Sequence, residues 1–291
     1  MDQAASIDAS PPRRWRRALN RFLRSLLRIV IVAVAGVVLL LLLFQHRMIY
    51  HPRGYREEEE EMLKTRVVTL AFTTSQGKEE AFYLAPRMLP LRKVWVLFPG
   101  NGSLALDWMG ILKTPPNPHD GYLMFDYPGY GDCQGAASPA TIEENAEGAF
   151  AALAGSLHET PGEIGNIGIL CHSLGCATGL DFAVHEPVDR VILMAPFTSM
   201  NEMARRVVGW PLCLLLLHRY DNGARLAELA ARAHPPMVAI FHGEDDQVIP
   251  VAMGRELAAE QPRMITFHEV PGADHNTVIR DTRGAVVALM R

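Results

Sequence analysis

The stretch that decides the fold spans residues 168–179 and reads GILCHSLGCATG. An apolar run leads into Ser173 and small residues follow it, which is typical of a strand that turns sharply into a helix. The usual form of this turn is G-x-S-x-G. Gly175 supplies the second glycine, whereas Cys171 occupies the position of the first. A serine that merely caps a helix also fits the motif taken alone, so the surrounding sequence must decide.

Short apolar runs alternate with helical segments on both sides of this turn. Continuous apolar strands separated by helices predict an α/β fold with a mainly parallel central sheet and helices on both faces. An opening hairpin is predicted from VVTLAF and AFYLA. The later strands are predicted from KVWVLF (93–98), GYLMF before Asp126, NIGIL (166–170), RVILMAP, MVAIFHG and MITFHEV.

Polar residues collect where four of these strands end, in the runs PGNG, CHSLG, GEDDQVIP and PGADHN. Chemistry in parallel sheets gathers at the carboxyl ends of strands. A serine hydroxyl needs a base to take its proton, and the base needs a carboxylate to orient it. The chain order predicts Ser173 as nucleophile, Asp246 as orienting acid and His275 as base. Three acidic residues in a row, as at 244–246, are often only a solvated turn. The run QVIP after them favours Asp246, and Asp245 is the alternative acid.

Two backbone N–H groups complete the predicted site. Asn101 follows the strand at 93–98 and Leu174 follows the serine, so their N–H groups are expected to hold a developing oxyanion. A plain turn is the alternative at Asn101, since asparagine and glycine both favour turns.

Together these motifs resemble the α/β-hydrolase superfamily, over roughly residue 67 to the end of the chain. LFPGNG, DYPGYGDCQG, CHSLG, APFTS, FHGEDDQVIP and GADHN carry the likeness. It is greatest to membrane-anchored members with a short cap, here expected over about 198–235, which act on lipid esters, lysophospholipids and protein-bound acyl chains. The resemblance implies hydrolysis of a carboxylic ester or thioester through an acyl-enzyme, without metal or organic cofactor.

Cys171 departs from the family pattern, because glycine is usual two residues before the nucleophile. A thiol there predicts a slightly overfilled turn that remains active. Two alternatives stay open, a catalytically inactive hydrolase fold that serves as a binding or scaffold protein, and a peptidase of the same fold. Pro99 replaces a frequent histidine, with little effect expected because the oxyanion donors are backbone groups.

The beginning of the chain differs in composition from the rest. Residues 1–25 are basic, and residues 26–44 form an apolar run long enough to predict a transmembrane signal anchor. Residues 45–65, which include the acidic run REEEEEM at 56–62, are predicted as a juxtamembrane linker before the hydrolase domain at 66–291. The arginines predict a cytoplasmic N-terminus and a catalytic domain on the extracytoplasmic side, such as a bacterial periplasm. A cleaved signal peptide is the alternative, although no A-x-A site follows the run.

Charge and cysteine content exclude other classes. The net charge is −4 although seven arginines lie within the first 28 residues, so the remainder is acidic and unsuited to nucleic acid. The four cysteines are scattered, without a C-x-x-C pair, which argues against a disulfide framework or a zinc site. The expected partners are an acyl ester substrate and a membrane.

Overall fold

A computed structural model of the chain describes residues 13–56, 61 and 64–291. The first helix, α1 (Arg13–Ile49), includes the predicted anchor. Its stretch Arg17–Ile49 is long and apolar enough to cross a membrane, with a mean hydropathy of 3.1 in its most apolar 18-residue window and none of that window buried. A signal sequence would have the same length and composition. Most of the acidic run at 56–62, and residues 1–12 of the basic segment, lie outside the described residues.

Eight strands form one sheet, and the prediction of an α/β fold with a mainly parallel sheet is confirmed. The strand order is β1-β2-β4-β3-β5-β6-β7-β8. Antiparallel pairing is confined to β1 with β2 and β2 with β4, and all other neighbours are parallel. The strands are β1 (Val68–Thr74), β2 (Gly77–Leu84), β3 (Lys93–Phe98), β4 (Asp120–Phe125), β5 (Ile167–His172), β6 (Val188–Met194), β7 (Met237–Gly243) and β8 (Ile265–Val270).

Helices cover both faces of this sheet because the strands are apolar on both sides. Val96 and Phe98 of β3 belong to one hydrophobic cluster, and the alternate residues Trp95 and Leu97 belong to a second. The α-helices after α1 are α2 (Pro139–Ser156), α3 (Leu174–His185), α4 (Met200–Val208), α5 (Asn222–Ala230), α6 (Val251–Glu260), α7 (Thr277–Asp281) and α8 (Arg283–Leu289). Short 3-10 helices lie at Ala105–Gly110, Pro161–Glu163 and Leu212–Leu215.

The segment between β6 and β7 is built from short pieces. Helix α4, the 3-10 turn Leu212–Leu215 and helix α5 follow one another there. The apolar sequence GWPLCLLLLHRYDN (209–222) therefore does not form a single helix, because only Leu212–Leu215 within it is helical before α5 begins.

Among the described residues, those from 46 to 291 form one compact unit and those before residue 46 form another. The sequence-based boundaries assigned residues 45–65 to a linker. In the structure, the described residues immediately after α1 belong to the larger unit instead. Tyr50 is 2% exposed, because its ring packs against His218 at a centroid distance of 5.4 Å.

Candidate active site

Ser173 occupies a sharp turn between β5 and α3. Its backbone has φ 54° and ψ −119°. Residues that carry a side chain rarely adopt a left-handed conformation, whose free-energy cost is about 1–3 kcal/mol. The turn is fixed because the Ser173 N–H donates to the Met194 carbonyl of β6 at 2.9 Å. A Cβ at Gly175 would collide with the Phe98 carbonyl, so glycine there lets α3 approach the end of β3 closely. The sequence therefore produces a strained strand-turn-helix that presents a serine.

The side chain of Cys171 has room in this turn because of a glycine further along α3. A Cβ at Gly179 would meet the Cys171 sulfur, so the sulfur fills the space that this glycine leaves free. Cys171 is fully buried, and burial raises the pKa of its thiol well above the usual value. The Cys176 thiol is also buried with a raised pKa, and it donates to the Met194 carbonyl at 3.3 Å. Buried thiols of this kind stay protonated and unreactive.

Three of the predicted side chains form one hydrogen-bonded series. The Nε2 atom of His275 lies 2.9 Å from the Oγ atom of Ser173. Its Nδ1 atom lies 2.8 Å from the Oδ2 atom of Asp246. The three residues come from the carboxyl ends of β5, β7 and β8, which meet at one edge of the parallel sheet. A proton can therefore pass from the hydroxyl to the imidazole while the carboxylate holds the ring.

Asp246 is suited to remain ionised. Its Oδ1 atom accepts hydrogen bonds from the Val248 and Ile249 N–H groups, each at 2.8 Å. Burial alone would raise the pKa of this carboxyl, but hydrogen bonds from His242, His275 and the Ile249 N–H outweigh burial and lower it well below its usual range. Asp245, the alternative acid, is exposed. The structure thus brings Asp246, and not Asp245, against the imidazole.

The loop that carries Asn101 follows β3, next to the serine turn. Phe98 pairs with Cys171 in the sheet, so the two chain segments continue side by side. A Cβ at Gly100 would lie 2.6 Å from the His172 Nδ1 atom, which shows how closely the loop approaches the residue before the serine. The Tyr127 hydroxyl donates to the Pro99 carbonyl at 2.8 Å and contacts Thr178 of α3 at 2.9 Å. Neither the Asn101 N–H nor the Leu174 N–H has an acceptor among the described residues.

Two further histidines support this arrangement, and neither was singled out in the sequence. The Nε2 atom of His172 lies 2.9 Å from the His275 carbonyl, and burial lowers the pKa of this imidazole to about 4. A neutral ring at that distance donates through Nε2 and holds the loop of the base. The Nε2 atom of His242 lies 2.8 Å from the Ile249 carbonyl and 3.5 Å from the Asp246 carboxylate. The available sequence signal was a histidine at the end of an apolar strand in CHS and FHG.

The described part of the chain contains no group of three or more histidine, cysteine, aspartate or glutamate side chains placed to hold a metal ion. The chemistry that this arrangement can perform is transfer of a group to the serine oxygen with the histidine as acid and base.

Comparisons with known proteins agree with this fold. Residues 95–226 match the Alpha/beta hydrolase family. An uncharacterized protein of Mycobacterium tuberculosis is 34% identical over 155 residues, which cover 53% of this chain and 52% of that protein. Alpha/beta hydrolase domain-containing protein 17B of Homo sapiens is 28% identical over 207 residues, which cover 70% of this chain and 68% of that protein. The chain thus spans about half the length of the Mycobacterium relative.

Solved structures resemble the chain over most of its length. An α/β hydrolase from Vibrio vulnificus has a TM-score of 0.66 at 16% identity, covering 84% of this chain and 92% of that chain. An esterase from Pyrococcus furiosus has a TM-score of 0.62 at 12% identity, covering 83% of this chain and 96% of that chain. At these identities the likeness concerns the fold alone.

Proposed function

Because residues 95–226 match the Alpha/beta hydrolase family and the fold is that of an α/β hydrolase, we propose that this chain is a serine hydrolase that cleaves a carboxylic ester or thioester. The observation that carries the proposal is the hydrogen-bonded series from Ser173 through His275 to Asp246, at 2.9 and 2.8 Å. Helix caps and surface histidines do not require such a series. The strained φ of 54° at Ser173 further supports a nucleophile, since strain of this kind gathers at functional sites.

The proposed reaction proceeds in two halves. The Ser173 oxygen attacks the acyl carbon while its proton moves to the His275 Nε2 atom, and Asp246 stabilises the resulting imidazolium. The carbonyl oxygen becomes an oxyanion, which the N–H groups of Asn101 and Leu174 stabilise. The tetrahedral intermediate collapses, and His275 gives its proton to the departing alcohol or thiol. Water, deprotonated by His275, then attacks the acyl-enzyme and releases the carboxylic acid and the free serine.

A lipid-like acyl chain is the proposed substrate class, because the cap exposes apolar side chains. Val207, Trp210, Leu214 and Leu217 are 71%, 77%, 57% and 67% exposed. They belong to the segment that leaves the carboxyl end of β6, the edge of the sheet at which Ser173 lies. Several large apolar side chains exposed within one short segment favour a site that binds an apolar partner. We therefore place the acyl chain of the substrate against this segment.

Membrane attachment through α1 fits the same substrate. The stretch Arg17–Ile49 has the length and hydropathy of a membrane span, and a lipid-like ester is concentrated in a bilayer. The proposed protein is a single-pass membrane enzyme with residues 46–291 on the extracytoplasmic side.

Fluorophosphonate labelling of membranes tests the nucleophile. The wild type is expected to form a covalent adduct, and Ser173→Ala is expected to form none and to lose on the order of 10⁶-fold in kcat on an ester. Ser156→Ala is the matched control, since Ser156 is an exposed serine at the end of α2 and should label like the wild type. Equal labelling of Ser173→Ala and the wild type would exclude Ser173 as the nucleophile.

The same membranes distinguish the two alternatives. A folded wild type that takes no label, but gains it in Cys171→Gly, would indicate an inactive binding protein. A panel of acyl esters of graded chain length beside peptide amides separates an esterase from a peptidase. We expect turnover of the esters, rising with chain length, and none of the amides.

A further inference from the structure

The chain segment that leaves α1 lies along the loop proposed to hold the oxyanion. We define the strap as residues 49–55 and the oxyanion loop as residues 99–104, and both belong to the compact unit 46–291. Hydrogen bonds connect them at three loop positions, through the Asn101 side chain, the Gly102 carbonyl and, by way of Asp107, the Leu104 N–H. A segment that served only as a tether would not need such bonds.

The side chain of Asn101 makes three hydrogen bonds, two of them to the strap and one to Tyr130. Its Oδ1 atom accepts from the His51 N–H at 3.0 Å and from the Tyr130 hydroxyl at 2.7 Å. Its amide nitrogen donates to the Ile49 carbonyl at 2.5 Å. These bonds use the amide as both acceptor and donor, which fixes its orientation. The backbone of Asn101, which carries the proposed oxyanion donor, is consequently held from the side of the strap.

Arg53 provides a second, independent attachment. Its Nε atom donates to the Gly102 carbonyl at 2.7 Å, and its Nη2 atom lies 2.6 Å from the Asp107 carboxylate. The same Asp107 carboxylate accepts from the Leu104 N–H at 2.8 Å. The arginine thus bridges both ends of the turn that follows Asn101.

The strap itself is anchored on its other side. The Gly131 N–H donates to the Arg53 carbonyl at 2.9 Å, and the Tyr55 hydroxyl donates to the buried Asp126 carboxylate at 2.5 Å. Asp126 in turn accepts from the Ala105 N–H at 2.7 Å, just beyond the oxyanion loop. The strap is therefore part of a closed set of hydrogen bonds around this loop.

We propose that the strap is a positioning element for the oxyanion hole, with Asn101 and Arg53 as positioning residues. The inference rests on the proposed serine-hydrolase function. Asn101 has two separate roles in this proposal, because its backbone N–H is the proposed oxyanion donor and its side chain binds the strap. An oxyanion donor acts mainly on the transition state, so loosening the strap lowers kcat and leaves KM nearly unchanged.

The test uses the full-length protein in detergent or membranes, with Tyr130→Phe, Arg53→Gln and Asn101→Ala. We expect kcat on a short soluble ester to fall about tenfold in the first two and about a hundredfold in the third, as for a small misplacement of a catalytic group. Affinity for a trifluoromethyl ketone should fall by the same factors, because Ser173 adds to this ketone and its hemiketal oxygen occupies the oxyanion hole. A general loss of stability would not lower kcat and the affinity for the trifluoromethyl ketone by the same factor.

Matched controls exist for two of the variants. Tyr83 is a buried tyrosine of β2 whose hydroxyl has no partner among the described residues, so Tyr83→Phe controls for Tyr130→Phe. Arg255 forms an exposed ion pair with Glu269 away from the strap, so Arg255→Gln controls for Arg53→Gln. Both controls should keep the wild-type kcat and inhibitor affinity.

Hydrogen exchange of the 99–104 peptide separates the two proposals. Exchange should rise in Tyr130→Phe, Arg53→Gln and Asn101→Ala, and it should stay at the wild-type level in the two controls. Unchanged exchange and unchanged kcat in these three variants would overturn the positioning role of the strap. A wild type without fluorophosphonate labelling would overturn the proposed function, and exchange in the loop would still decide whether the strap holds it.

Discussion

One hydrogen-bonded network contains the side chains of three histidines that lie at or just after strand ends. Among these three rings, one forms a hydrogen bond with the hydroxyl of Ser173. His275 lies between Ser173 and Asp246. His172 holds the His275 loop through its carbonyl, and His242 holds the loop of Asp246. Two of these rings therefore hold backbone segments in place. The position of the base His275 depends on these neighbouring histidines as much as on the strand that precedes it.

The buried His172 makes stability depend on pH. Burial lowers its pKa to about 4, whereas an unfolded histidine titrates near 6.5. The unfolded state then binds more protons between these values, so the stabilisation is present above about pH 6.5 and is lost as the pH falls through about 4. We expect the free energy of unfolding, measured by thermal melts, to fall by up to about 3 kcal/mol between pH 7 and pH 4 because of this group.

His172→Gln should remove most of this pH dependence, because glutamine does not titrate. His234→Gln is the matched control, since His234 is exposed, and its melts should follow those of the wild type. A His172→Gln protein with the same loss of stability between pH 7 and 4 would show that another group is responsible.

Residue types and chain order indicated Ser173, Asp246 and His275 in the sequence because a serine, a carboxylate and an imidazole ended three predicted parallel strands. The choice of Asp246 over Asp245 depended only on the run QVIP after it. The supporting roles of His172 and His242 were not predictable, because an unpaired histidine and a histidine bonded to a distant carbonyl look alike in sequence.

At the scale of elements, β5 and α3 pack closely because a side chain on the strand occupies the space that a glycine leaves on the helix. Cys171 adds a side chain where the motif usually has none, and Gly179 removes one on the facing helix. We predict that Gly179→Ala overfills this contact and lowers the free energy of unfolding by about 1–3 kcal/mol. Labelling of Ser173 should fall with it, because the overfilled contact lies beneath the serine turn.

The double variant Cys171→Ala with Gly179→Ala should regain most of the loss, since the smaller side chain restores the space. Gly155→Ala is the control, because a Cβ at this helical glycine of α2 meets nothing within 4 Å. Thermal melts of the wild type, Cys171→Ala, Gly179→Ala and the double variant give the coupling free energy between the two positions. Additive effects would contradict the proposed exchange of volume.

The central strands were predictable because both their faces are apolar, and KVWVLF and MVAIFHG match β3 and β7 to the residue. Helix ends and breaks were harder to predict. At the end of the chain, α7 and α8 separate at Thr282, whose hydroxyl donates to the Val278 carbonyl at 2.6 Å. Such back-bonding bends helices and depends on a rotamer that the sequence does not specify.

At the scale of the whole molecule, the seven arginines among the first 28 residues predict the topology. Lys and Arg are retained on the cytoplasmic side of a membrane. We predict that a C-terminal alkaline phosphatase fusion is active and that a C-terminal green fluorescent protein fusion is dark. The control replaces the arginines by glutamine and should weaken this bias. A fluorescent fusion with an inactive phosphatase would place residues 46–291 in the cytoplasm.

The sequence predicted where the apolar run lies but not how the chain leaves it. Residues 45–65 carry the composition of a linker, with a run of acidic side chains at 56–62. The contacts of Tyr50, His51 and Arg53 involve partners between 49 and 168 residues away along the chain. No local pattern reports such distant partners, so a polar segment that packs on a domain resembles one that does not.

The strap also determines where the chain can be cut to make a soluble protein. A boundary in the acidic run looks natural from composition, yet it would delete residues 49–55 and with them every bond that Asn101 and Gly102 make to that segment. A boundary at residues 45 and 46, where the two compact units meet in the chain, retains them. Crystals or inhibitor screens based on the shorter form would report on an enzyme whose oxyanion loop lacks its support.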